Sequence, residues 1–146
     1  MPHSFTKIWI HAVFGTYERK QSIKPKLEKN LHDRMKEKLE KELECKVRII
    51  NGTADHVHIL FLMGQAHSIK DIMKNVKGES SHWVNQNNHT TLKFAWQIGY
   101  GAFSVSESMV KEVENYIRRQ KEHHLKMSFK EEYELFLKKY GLPINR

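Results

Sequence analysis

The sequence predicts an α+β domain built on one antiparallel sheet, in the order β-α-β-β-α-β, followed by C-terminal helices. Three observations predict it. Apolar residues alternate along Phe5–Phe14 but recur every fourth position from Leu27 to Leu43, so the chain passes from strand to helix. Two short apolar runs, Lys46–Ile50 and His56–Met63, flank Asn51-Gly52, a hairpin signal. The 146 residues include only 3 Pro and 7 Gly, with no low-complexity stretch, repeat or linker, which predicts a single domain over 1–146.

Taken in order, Phe5–Phe14 places Ile8, Ile10, Ala12 and Phe14 on one face and Trp9, His11 and Val13 on the other. Both faces are largely apolar, as expected of a central strand. Leu27, Leu31, Met35, Leu39 and Leu43 form the buried stripe of a helix from about Lys24 to Glu44, with Pro25 suited to its first turn. The second and third strands follow as antiparallel partners. Ser68 with Asp71 reads as the N-cap of a helix to about Asn85 that buries Ile69, Ile72, Val76 and Trp83. Phe94–Ile98 reads as the fourth strand, ended by Gly99-Tyr100-Gly101. Ser106 can cap a helix to about His124 with Val110, Val113 and Ile117 inward, and a last helix to Tyr140, starting near Phe129 or Lys130, offers Tyr133, Phe136, Leu137 and Tyr140 for docking. The order is ferredoxin-like, a βαββαβ antiparallel sheet with helices on one face, plus C-terminal helices.

Composition narrows the function. The chain carries 25 Lys+Arg against 17 Asp+Glu, a formal charge of +8, which suggests a polyanionic partner: nucleic acid first, an acidic membrane surface second. A single cysteine, Cys45, excludes an internal disulfide and a cysteine-based zinc finger. No apolar run approaches the ~18 residues of a membrane span, and Met1-Pro2-His3-Ser4 does not resemble a signal peptide. The expectation is a soluble protein of the reduced cytoplasm.

Two runs carry chemistry. In Asp55-His56-Val57-His58, the i and i+2 histidines share one strand face about 6.5–7 Å apart and can close on one ion. Two partly buried structural histidines would give the same pattern, and two ligands are too few for a zinc site. In Glu114-Asn115-Tyr116-Ile117-Arg118-Arg119-Gln120, Tyr116 and Gln120 are neighbours on a helix face. By itself that pair is ordinary packing and solvation. Combined with the histidines it makes chemical sense. A phenol with a pKa near 10 is a poor nucleophile at neutral pH unless its electrophile is activated. A divalent ion held by two His and a Gln carbonyl can bind a phosphate oxygen as a Lewis acid. Attack by the phenolate then leaves a phosphotyrosine, splitting strand transfer into two steps.

His56-Val57-His58 matches the HUH motif, Tyr116-x-x-x-Gln120 matches a single-tyrosine helix, and Trp96-Gln97-x-Gly99-Tyr100-Gly101-x-Phe103-Ser104 resembles the segment that joins the last strand to that helix. Together they resemble the single-tyrosine HUH transposases of the smallest bacterial insertion sequences, from the first strand to about His124. The resemblance implies a bacterial, homodimeric DNA transposase that cleaves and rejoins hairpin-marked single-stranded DNA through a 5′-phosphotyrosine. It implies Tyr116 as nucleophile and His56, His58 and Gln120 as ligands of a Mg²⁺ or Mn²⁺ ion. It also allows a composite site in which the tyrosine helix serves the partner subunit. One departure is Thr16-Tyr17-Glu18-Arg19, where many relatives have a Thr-Lys-x-Arg-like run.

Other residues carry weaker signals. Lys70, Lys74, Lys77, Arg118 and Arg119 are candidates for phosphate contact or simply a solvated face, and Trp83, Trp96 and Tyr100 for base stacking or core packing. Asp55 reads as a support for a ligand histidine or as a turn residue, and His11 as structural, near the site. His89, His123 and His124 are assigned no role. Rival readings are a non-catalytic or domesticated nucleic-acid-binding protein on the same fold and a metal-dependent hydrolase that uses water.

Overall fold

β1 (Trp9–Gly15) lies in the middle of a four-stranded sheet of order β2-β3-β1-β4, every neighbour antiparallel. The computed structural model describes residues 4–87 and 92–144; Met1–His3 and His89 lie outside them. β1 is buried along its whole length because both of its faces are covered. Ile10, Ala12 and Phe14 join Val57, Ile59 and Phe61 of β3 (His56–Leu62) in a core roofed by α1 (Pro25–Glu37) and α2 (Ile69–Gln86). The opposite face is roofed by the C-terminal helices: α3 (Val110–Arg118) packs on Trp9, Leu60 and Val105, and α5 (Phe129–Lys139) on Val13 and Phe103. α4 (Gln120–His123) joins them. The ferredoxin-like order holds, with α1 and α2 on one face as expected. No helix among the described residues is long and apolar enough to cross a membrane.

Several boundaries differ from the sequence expectation, each for a physical reason. The first helix leaves regular geometry at Lys38, and Lys38–Glu42 is a π-helical turn whose Leu43 N–H bonds the Lys38 carbonyl at 3.2 Å. A stripe repeating every four residues overshoots the 3.6-residue period, and a wider turn returns Leu39 and Leu43 to the buried side. Asn51-Gly52 is not the hairpin turn. β2 (Lys46–Thr53) continues through it, Gly52 pairs with Val57, and the chain reverses at Ala54-Asp55. Gly52 is needed for close approach, since a Cβ there would overlap the His56 carbonyl. A bulge between Val47 and Ile49 puts those two side chains on opposite faces.

The fourth strand is not Phe94–Ile98 but β4 (Gly101–Val105), which pairs with Trp9–Val13. Phe94 and Trp96 are nonetheless buried, and Trp96 bridges Thr16 beyond the end of β1. Between the two stretches Ile98 stands in solvent and Gly99 takes φ 89, a conformation open to glycine. Lys77 ties this bulge down by donating to the Gln97 (2.8 Å) and Gly99 (2.6 Å) carbonyls, so it is an internal clamp. Ser68 caps α2 as expected, accepting from Asp71 N–H.

Candidate active site

Alternation along β3 sends Val57, Ile59 and Phe61 into the α1/α2 core and turns His56 and His58 to the other face, both fully buried. Each imidazole is held from behind through Nδ1. His56 Nδ1 lies 2.8 Å from the Asp55 carboxylate and 3.0 Å from Thr53 Oγ1. His58 Nδ1 lies 2.8 Å from His11 Nε2 on the neighbouring strand. Such supports fix ring orientation and leave the Nε2 atoms to converge on one point. Asp55 is thus both a turn residue and a support, and His11 lies directly behind the site.

Tyr116 and Gln120 reach this point from α3 and α4, but not on one continuous helix. α3 ends at Arg118, and Arg119 (φ −95, ψ 20) turns the chain into α4. The last carbonyls of α3 need partners. Asn51 on β2 supplies them, donating to Ile117 (2.9 Å) and Arg118 (3.1 Å). The bend delivers Gln120 fully buried, with its Oε1 3.0 Å from His56 Nε2. The four residues singled out from the sequence therefore meet, although α2 and β4 lie between their elements in the chain.

Three residues that carry no role in the sequence reading join them: Glu132, His123 and His124. Ser128 caps α5 in a reciprocal box with Glu131, and one turn later Glu132 enters the site from above. Its carboxylate accepts from His58 Nε2 (2.9 Å), His124 Nε2 (3.0 Å), Gln120 Nε2 (3.1 Å) and the Tyr116 hydroxyl. His123 Nε2 lies 3.3 Å from the Tyr116 hydroxyl. Phe129 stacks on the His56 ring at 4.4 Å. The ligand atoms of His56, His58, His124 and Glu132 all lie within 4.8 Å of one another. The only signal for Glu132 in the sequence is an acid among the apolar positions of an amphipathic helix.

The electrostatics follow from burial. Desolvation lowers His58 to about 4, against the pull of Glu132, and lowers His11 as well. Burial opposes the Glu132 charge, but hydrogen bonds from His124 and His58 outweigh it and hold the carboxyl well below the usual range. Burial and then the Glu132 carboxylate push Tyr116 far above an ordinary phenol, so the hydroxyl is protonated here. The donor set suits a divalent cation. His56 Nδ1–H faces a carboxylate, so its Nε2 lone pair points at the carbonyl oxygen of Gln120, two electron pairs across 3.0 Å. A divalent cation between them would accept both.

The remaining candidates divide. Trp96 is core, donating to Ser80 Oγ at 2.9 Å, and Trp83 and Tyr100 pack against the same core. Cys45 is buried on the other face. Thr16 is buried on the Lys20 and Asp55 carbonyls, and Glu18 and Arg19 adopt positive φ just after it. Lys70, Lys74 and Arg119 are exposed, and Arg118 pairs with Glu114 at 3.0 Å. A cavity of about 340 Å³ opens beside Tyr116, walled by His11, Val113 and Phe136.

No curated protein matches the chain. In solved structures, 82% of the chain superposes on 95% of a candidate transposase from Deinococcus radiodurans, with a TM-score of 0.65 and 22% identity. The same share superposes on 68% of a REP-associated tyrosine transposase solved bound to a REP hairpin, with a TM-score of 0.54 and 11% identity. At these identities the likeness is one of fold. The family model described as "Transposase IS200 like" matches residues 4–120, from the start of the described chain through Gln120. The protein belongs to the IS200-like transposase family.

Proposed function

We propose that this protein cleaves and rejoins single-stranded DNA with Tyr116 as nucleophile, in one domain spanning 1–146. The observation that carries the reading is the convergence of Tyr116, His56, His58 and Gln120 at one buried point from three different elements. The chain's family and the hairpin bound by its structural neighbour support hairpin-marked DNA as the substrate. Its formal charge of +8 supports a polyanionic partner. A homodimer, in which the tyrosine helix can serve either subunit's site, completes the proposal.

In this reading His56, His58 and Gln120 would hold a Mg²⁺ or Mn²⁺ ion, which would supply Lewis-acid charge neutralisation at the scissile phosphate. Asp55 and His11 keep the two imidazoles aimed. The Tyr116 oxygen attacks phosphorus, the bond to the 3′ oxygen breaks, and the 5′-phosphate stays on the tyrosine while a 3′-hydroxyl leaves. The phenolic proton has acceptors within reach in Glu132 and His123. Rejoining reverses the step with a new 3′-hydroxyl, so the bond energy is conserved.

The test is a denaturing gel with labelled hairpin-bearing single strands and Mn²⁺. A covalent protein–DNA adduct should form with the wild type, disappear with a chelator, and be absent in Tyr116→Phe. An adduct that persists in Tyr116→Phe would overturn the assignment.

A further inference from the structure

Glu132 is a carboxylate only 1% exposed, and taking a charge out of water is costly unless it is matched. Among the described residues its ion-pair partners are all histidines: His56, His58, His123 and His124. No lysine or arginine balances it there. The matched family segment ends at Gln120, so Glu132 and His124 both lie beyond it.

We propose that Glu132 and His124, from the C-terminal segment, are ligands of the same divalent ion as His56, His58 and Gln120, so that α5 is part of the ion site. The proposal rests on the metal-dependent reading above. Hard divalent ions favour oxygen and negative charge, and two imidazoles with an amide oxygen provide no anionic donor. Glu132 provides one at the right place, since its ligand oxygen and the ligand nitrogens of the three histidines lie within 4.8 Å of one another. Its two oxygens have separate roles. Oε1 faces His58 and His124, where the ion would replace their protons. Oε2 faces the Tyr116 hydroxyl and the Gln120 amide. One carboxylate can thus bind the ion and keep the nucleophile beside it. His58 can give up its Nε2 proton by carrying it on Nδ1 instead, donating to His11 Nε2 2.8 Å away.

The experiment titrates the full chain with Mn²⁺ alone, without DNA, by calorimetry and by electron paramagnetic resonance. Glu132→Gln should weaken Mn²⁺ binding by at least about tenfold, and His124→Ala should weaken it too. Amide exchange across 129–139 should slow when Mn²⁺ is added to the wild type. If Glu132→Gln binds Mn²⁺ as tightly as wild type or more tightly, while His58→Ala loses it, Glu132 covers the site without ligating and the proposal is overturned. If His56→Ala and His58→Ala both keep full affinity, the metal-dependent reading fails first and takes the proposal with it. Circular dichroism reports whether each variant folds. Where Glu132→Gln does not, Glu132→Asp keeps the charge but withdraws it by one methylene, and unchanged Mn²⁺ affinity in that variant also overturns the proposal.

Discussion

Asn51 is a strand residue with an unusual task. Its amide satisfies the last carbonyls of α3 while its Oδ1 accepts from Lys121 at 3.0 Å, so one side chain fixes where the tyrosine helix stops. Asn51→Ala should cost about 1 kcal/mol of stability in urea unfolding, with a smaller yield of adduct because Tyr116 and Gln120 lose their common anchor. His32 makes a separate, pH-dependent prediction. Burial lowers it to about 4, and its Nε2 has no hydrogen-bond partner. Below pH 6.5 the unfolded chain takes up a proton that the folded chain refuses, so stability falls as pH drops from about 6.5 towards 4. His32→Leu should therefore raise the melting temperature more at pH 5 than at pH 7.5. The same scale shows what a sequence can disclose. His56 and His58 are legible because i, i+2 spacing on a strand is local geometry. Glu132 is not, because an acid on a helix acquires its meaning only when the helix is docked. Asn51 and Gly52 mislead because a glycine kept for close approach reads like one kept for a turn.

Among the elements, α5 matters most to the site. It starts at the reciprocal cap of Ser128 and Glu131, one turn before Glu132. Ser128→Ala should cost about 1 kcal/mol and speed amide exchange across the first turn of α5. The β2–β3 hairpin makes a sharper case. A Cβ at Gly52 would strike the backbone of His56, so Gly52→Ala should destabilise by roughly 3 kcal/mol and displace the histidines, read by thermal melting and by loss of adduct. The elements that the sequence disclosed best were those with long, unbroken patterns: β1, α1, α2 and the docking face of α5. Phe94–Ile98 reads as a strand because Phe94 and Trp96 alternate inward as strand residues do, both buried. Only the pairing with β1 distinguishes the irregular stretch from β4. The break at Arg119 is not legible locally because what stops α3 is the Asn51 side chain from β2.

At the scale of the whole molecule, the sheet has two roofs, and the second is built late in the chain. Truncation after His124 would uncover Val13 and Phe103 and remove Glu132, so such a chain should lose cooperative unfolding. Single-stranded DNA binding should weaken linearly in log–log terms as salt rises, the signature of phosphate contacts. The central position of β1 also has a consequence for synthesis. The strand leaves the ribosome first, yet one of its neighbours is complete only at Leu62 and the other only at Val105. At roughly 5–20 residues per second, an apolar ribbon waits several seconds with at least one edge unpaired. The pocket beside Tyr116, walled in part by Phe136, therefore closes only once translation has passed α5.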